Sequence, residues 1–240
     1  MRLCPHCNKE LTKNKEYDST SLEDERVGIE NYKYECNFCD ENFFEFEAIK
    51  RYEVIQADPP WRQSKGGRKS VRPNSSGKEL EYPVISIEEI ESILAEASDL
   101  GTENHVLFLW TIEKYLPQAE KIANELGYKL HARMIWNKVT GIPSAFTIRY
   151  GHEYLLYLYK EKLLKIAKDE RGKIHSVFTE QVKRHSQKPQ IAYEIIERLY
   201  PSIDRLELFA RNKREGWDVW GNEVECDVEL LKEPQTEVEE

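Results

Sequence analysis

Apolar and polar positions follow two different periods along the chain. Residues 52–57 alternate and then become apolar, which predicts a buried strand delivering Asp58-Pro59-Pro60-Trp61 at its carboxyl end. Residues 62–80 are rich in Gly, Ser, Lys and Arg with no apolar period, and read as a long loop, of the kind that is functional or simply mobile. Ser86-Ile87-Glu88-Glu89 has the form of a capping box, opening an amphipathic helix through about Ala97. Residues 106–110 predict a second buried strand, 117–126 a helix closed by Gly127, and 129–136 and 154–159 two further strands. A polar insertion covers about 161–180. Pro189 suits a first helical turn, and Ile191, Ile195, Ile196 and Leu199 recur at helical spacing until Pro201 stops the run. Residues 206–209 form another strand. Strands alternating with helices predict a parallel or mixed sheet covered on both faces, with ligands at the carboxyl ends of strands, where Asp58 and Phe209 fall.

The 240 residues accommodate one medium-sized domain and a small accessory module. Apolar runs such as 106–110 are far too short to span a bilayer, and the first residues carry no apolar stretch of a secretory signal, so a cytoplasmic protein is expected. A net charge of −9 argues against a polyanionic partner until its distribution is considered. Residues 1–50 hold seven bases and twelve acids, and residues 223–240 eight acids against Lys232 alone. Between them, 62–78 carries Arg62, Lys65, Arg68, Lys69, Arg72 and Lys78 and no acid, which suits contact with phosphates. The acidic end reads as a solvated tail, with Cys226 as a free thiol.

Cys4-x-x-Cys7 and Cys36-x-x-Cys39, separated by 28 residues, have the layout of two knuckles closing on one tetrahedral zinc. A redox pair is the competing reading, but two matched pairs flanking an aromatic-rich segment favour a structural zinc ribbon. A module this small needs the metal to stay folded.

Asp-Pro-Pro-Trp at a strand end has a specific chemical use. The exocyclic amine of adenine is a poor nucleophile because its lone pair is delocalised into the ring. Acceptors for both N–H bonds let the nitrogen become tetrahedral and free that pair. The Asp58 carboxylate can supply one acceptor and the Pro59 carbonyl the other, held by the fixed φ of successive prolines; Trp61 offers a flat face for stacking. The plain alternative is a rigid strand-to-loop turn with a hydrophobic anchor.

With these residues in view the chain resembles the adenine amino-methyltransferases of the beta class, most closely the family of the eukaryotic mRNA N(6)-adenosine methyltransferase catalytic subunit and its bacterial and phage relatives. The resemblance covers about 52–224. It runs through Ala57-Asp58-Pro59-Pro60-Trp61, Tyr82-Pro83-Val84-Ile85-Ser86, Leu107-Phe108-Leu109-Trp110, Ile135-Trp136-Asn137-Lys138, His152-Glu153, Ser186-Gln187-Lys188-Pro189, Leu206-Glu207-Leu208-Phe209-Ala210-Arg211 and Gly216-Trp217 through Gly221-Asn222-Glu223. What it implies is an α/β, Rossmann-like, permuted methyltransferase using S-adenosylmethionine, with Asp58, Pro59, Pro60 and Trp61 holding the target amine. By the same resemblance Asp58 also borders the cofactor and Lys188 meets its methionine carboxylate. Glu207, Phe209 and Arg211 line the cofactor pocket, and Asn222 and Glu223 take the ribose hydroxyls. Tyr82 and Trp110 look like pocket walls on the target side, beside the basic Arg62, Lys65, Arg68 and Lys69. No Gly-rich turn follows 206–209, and Glu223 stands where relatives often carry an amide.

Taken singly, Trp110, Trp136 and His152 also suit core positions, and for His152 that is the expectation. The organisation expected is a zinc ribbon over 1–50, a methyltransferase domain over 51–225 and an acidic tail over 226–240. The expected activity is methylation of the exocyclic amine of adenine in DNA, the commonest substrate of the bacterial and phage members. The alternatives are the same reaction on RNA, or a catalytically silent nucleic-acid-binding protein. Nucleic acid is the expected partner, no membrane is involved, and a homo- or heterodimer is compatible with the sequence.

Overall fold

The computed structural model describes residues 12–16, 27–36, 41–62, 85–140, 142, 147–182 and 187–230, with backbone alone before residue 50. The chain divides into two compact units, 1–51 and 52–240. In the first, β1 (Thr12–Glu16), β2 (Val27–Cys36) and β3 (Glu41–Lys50) form an antiparallel sheet in that order. The β2–β3 register pairs Cys36 with Glu41, so the second Cys-x-x-Cys spans the hairpin connection. Cys4, Cys7 and Cys39 lie outside the described residues, and of Cys36 only the backbone is described. Among the described residues no group of His, Cys, Asp and Glu is arranged to hold a metal.

The second unit is a seven-stranded sheet. Its strands are β4 (Tyr52–Ala57), β5 (Gly101–Thr111), β6 (Lys129–Asn137), β7 (His152–Tyr159), β8 (Val177–Thr179), β9 (Arg205–Leu208) and β10 (Asp218–Trp220). They are ordered β10-β9-β4-β5-β7-β6-β8, and every neighbouring pair is parallel except those involving β7, which runs against β5 and β6. One edge of the sheet therefore gathers the carboxyl ends of six strands and the start of the seventh.

The three helices match the periodicity. α1 (Ile87–Asp99) opens on the expected box: Glu89 N donates to Ser86 Oγ at 3.1 Å and Ser86 N to the Glu89 carboxylate at 2.7 Å. α2 (Leu116–Glu125) precedes Gly127, whose φ of 81° needs a residue without Cβ. Both pack on one face through Ile90, Ile93, Leu94, Ala119 and Ile122, meeting the inward strand positions Ile55, Ala57, Leu107, Leu109 and Leu208. α3 (Gln190–Leu199) covers the other face with Ala192, Ile195, Ile196 and Leu199 on Val54, Val106, Phe108, Trp110 and Leu155. Alternation along each strand thus sends successive residues to two separate cores. No described helix is long and apolar enough to cross a membrane.

Three findings depart from the sequence pattern. β8 lies within the stretch expected to be a polar insertion, and β10 has no counterpart in the apolar pattern, because three-residue strands carry no period to detect. Residues 226–230 are not a solvated tail. Cys226, Val228 and Leu230 pack on the core, and Asp227 N donates to Val219 O at 2.8 Å while its carboxylate accepts from Val219 N at 3.0 Å and pairs with Lys213 at 2.8 Å. Cys226 is a free thiol.

The turn after β9 uses no Gly-rich sequence. Phe209 itself adopts φ 61°, and Ala210 N donates to Trp220 O at 3.0 Å, bringing the chain close under Gly221. A Cβ on Gly221 would lie 2.1 Å from the Ala210 carbonyl oxygen. Gly221→Ala is expected to lower the unfolding free energy by about 1–3 kcal/mol in urea titration, because backbone rather than a side-chain tip must yield.

Candidate active site

The ends of β4, β6 and β9, the start of β7 and the approach to α3 bring charged side chains to one place, on the side that α3 covers. Four stand in a row. Lys188, two residues before α3, places Nζ 2.8 Å from Asp58 Oδ1 and 3.2 Å from Glu153 Oε2. Glu153 Oε1 in turn lies 2.5 Å from Lys138 Nζ, just past β6. The side chains are 12–25% exposed, so the charges are largely withdrawn from water, yet two carboxylates and two ammoniums balance. Each ammonium also lies 5.3 Å from the centre of an indole ring, Lys188 over Trp110 and Lys138 over Trp136. These buried rings meet edge to face at 6.1 Å. Burial pushes the Asp58 carboxyl up, against the pull of Lys188. Burial acts on Glu153 in the same sense, but its two ammonium neighbours hold it below the usual carboxylate range. Burial would depress Lys188, and Asp58 and Glu153 together keep it above its ordinary value.

A cation at the entrance of a helix opposes the helix dipole, and the structure answers this with Glu180. Its carboxylate accepts from Gln190 N at 3.1 Å and Ile191 N at 2.8 Å, while its backbone carbonyl accepts from Trp136 Nε1 at 2.8 Å. Beside the row, Glu207 on β9 accepts from Tyr193 OH at 2.6 Å and from Gln56 Nε2 at 3.4 Å. Burial pushes the Glu207 carboxyl up to about 7. Gln56 Oε1 and Trp110 Nε1 are buried without a hydrogen-bond partner among the described residues. An acceptor and a donor left open beside acidic and cationic groups fit a zwitterionic ligand better than a dry core.

The Asp58-Pro59-Pro60-Trp61 segment is locked from the other face. Trp61 N donates back to the Pro59 carbonyl at 2.8 Å, and its indole N–H donates to Trp110 O at 2.8 Å. The indole is 6% exposed and stacks on Tyr115 at 5.4 Å, which corrects the expectation of an open stacking platform. The double proline turns the ring back under the sheet edge, where burying its large apolar surface is favourable. Tyr115 OH and Lys114 Nζ both donate to the Arg62 carbonyl, at 2.5 and 3.4 Å, fixing where the basic stretch departs.

Arg211 lies 3.5 Å from the Glu223 carboxylate, joining two of the expected cofactor residues, and Asn222 is exposed beside them. Phe209 rests edge to face on Trp220 at 5.7 Å. Trp110 is buried under the Lys188 ammonium rather than forming an open wall, and Trp136 is a core residue. His152 is not in the core: its side chain is 30% exposed and lies 3.6 Å from Glu113, which also accepts from Tyr154 OH. Tyr82, Lys65, Arg68 and Lys69 lie outside the described residues. The sequence reading gave no role to Glu153, Lys138, Gln56, Tyr193, Tyr115 or Glu180. The available signal was opposite charges at strand termini flanking tryptophans.

The MT-A70 family profile matches residues 52–223, the whole of the seven-stranded unit up to the Glu223 side chain. The chain belongs to the MT-A70 family. Within it, the chain is 26% identical over 192 residues to the type II methyltransferase M.MunI of Mycoplasma sp, covering 73% of this chain and 78% of that protein. It is 26% identical over 195 residues to the human N(6)-adenosine-methyltransferase catalytic subunit METTL3, covering 78% of this chain. The Drosophila melanogaster MT-A70-like protein is 25% identical over 210 residues. The chain spans about 30% of the length of the human protein and 31% of the fly protein. The crystal structure of an M1.HpyAVI–SAM complex superposes with a TM-score of 0.46 at 16% identity, covering 67% of this chain and 73% of that one.

The Glu207 carboxyl of this MT-A70 domain carries a pH signature. Its folded value of about 7 lies above the ordinary carboxyl value of 4.5, so the folded state favours the protonated form. The stability this confers is complete below about pH 4.5 and is lost as pH rises through 7, a change of up to about 3 kcal/mol. Thermal unfolding between pH 5 and 8 is expected to show this decline in the wild type and not in Glu207→Gln.

Proposed function

We propose that the chain transfers a methyl group from S-adenosylmethionine to the exocyclic amine of adenine in DNA. The observation that carries this reading is the Asp58-Pro59 pair of acceptors held at the sheet edge against a buried cation, in a chain of the MT-A70 family. The residues present fit the cofactor. Lys188 suits its carboxylate, Glu207 and the open Gln56 oxygen suit donors, and Arg211, Asn222 and Glu223 stand together for the ribose. When bound, S-adenosylmethionine supplies an electrophilic methyl group on a sulfonium.

The work of the chain is on the amine. Lys188 engages Asp58 Oδ1, and the carboxylate has a second oxygen with which to accept an amine N–H. The Pro59 carbonyl, already bonded to Trp61 N, keeps a second lone pair for the other N–H. Both acceptors are fixed by the Trp61–Tyr115–Arg62 lock, so their geometry is set before substrate arrives. A duplex substrate brings the base to this edge by flipping it out of the stack. Arg62, with Lys65, Arg68 and Lys69 beyond it, would meet phosphates, and Tyr82 the target side.

Incubation with labelled S-adenosylmethionine and matched DNA and RNA oligonucleotides tests the reading. Label on adenine of DNA is expected, with Asp58→Ala lowering kcat by at least about a hundredfold. Asp58→Asn retains part of the activity, since an amide oxygen still accepts. Label on RNA alone replaces DNA by RNA as substrate, and no label on either supports a silent binding protein.

The same proposal assigns one structural zinc to Cys4, Cys7, Cys36 and Cys39 in a ribbon over 1–50, ahead of a methyltransferase domain. The support is the spacing of the pairs and the placement of the second at a hairpin connection. Elemental analysis is expected to find one zinc per chain, lost in Cys36→Ser. Zinc absent from protein purified without chelator defeats the assignment.

A further inference from the structure

We propose that Lys138 is a positioning residue for Asp58, acting through Glu153 and Lys188. The inference rests on reading Asp58 as the amine acceptor. One ammonium, that of Lys188, is shared by two carboxylates, Asp58 at 2.8 Å and Glu153 at 3.2 Å. How it divides between them depends on what else neutralises Glu153. Lys138 does so from 2.5 Å on the other carboxylate oxygen, and its own place is fixed by its backbone N–H on Gly151 O at 2.9 Å and by the Trp136 ring beneath.

Without the Lys138 ammonium, Lys188 alone would have to balance two carboxylates, and Glu153 would be left under-compensated at a position 12% exposed, where screening by water is weak. It would draw Lys188 toward itself. The charged and titratable groups that face Asp58 are Lys188 from the lead into α3, Glu153 from β7, Arg211 after β9, Glu207 on β9 and Tyr193 on α3. Lys188 is the cation in contact with its carboxylate among the described residues. As Lys188 withdraws, burial and two acidic neighbours act on Asp58 with less opposition. Asp58 then protonates at higher pH, and a protonated carboxyl oxygen is a poorer acceptor for the amine. Lys138 touches neither reactant, so its effect is on the state and aim of Asp58.

The test is a carbon-detected NMR titration of the Asp58 carboxyl in the full chain, assigned with Asp58→Asn, for wild type, Lys138→Met and Lys138→Arg. The pH profile of methyl transfer is measured alongside. In Lys138→Met the Asp58 titration is expected to move up by about one pH unit. The acid limb of the kcat profile moves with it. Neutral-pH kcat falls roughly tenfold, with KM for nucleic acid little changed. Lys138→Arg, which keeps the charge, is expected to restore both. An Asp58 titration in Lys138→Met that coincides with wild type overturns the inference, including when that variant melts at lower temperature. Wild-type protein that methylates no nucleic acid overturns the function instead, and the titration still decides the role of Lys138.

Discussion

A buried ammonium shared by two carboxylates is the interaction on which the rest of this site depends. Lys188 cannot sit at 12% exposure without partners, and neither can Glu153; each makes the other tolerable. The consequence for architecture is strict. Asp58 follows β4, Glu153 comes from β7, Lys138 from just past β6 and Lys188 from the approach to α3; the β6–β7 pairing alone brings Lys138 to Glu153, but the row is complete only when β4 and the approach to α3 have joined it. A partly folded chain that buried one of them would be penalised, which favours the complete arrangement over partial ones.

Topology provides that arrangement through one reversed strand. Six strands end at the working edge, and β7, running the other way, begins there. An acid at a strand start is thereby placed opposite an acid and two bases at or beyond strand ends. The reversal also separates the two faces. Glu153 faces the α3 side with Lys188, whereas His152, its neighbour, turns to the other side and meets Glu113.

The large elements were legible because they obey a period. The strand ending at Asp58, the capped helix from Ile87, the helix closed by Gly127 and the helix after Pro189 all have enough residues for apolar spacing to declare itself. The three-residue strands β8 and β10 do not. Within the site, Asp58 and Lys188 stand out on the sequence, but their contact with each other does not, and Lys138 and Glu153, although they lie in the motifs that carry the resemblance, have no role legible there. Their meeting depends on pairing across β6 and β7, a long-range fact that no local pattern encodes. Trp61 was legible as important but not in its use: two prolines signal a turn without revealing that it folds the indole inward onto Tyr115.

The packing of residues 226–230 has a practical consequence for anyone who handles this chain. Charge alone suggests a boundary near 225, yet Asp227 is stitched to Val219 on β10, the outermost strand next to β9, and Val228 and Leu230 cover apolar surface. A truncation placed by acidity would strip the brace from an edge strand only three residues long, beside the residues that follow Phe209. Affinity handles and cut sites therefore belong after Leu230.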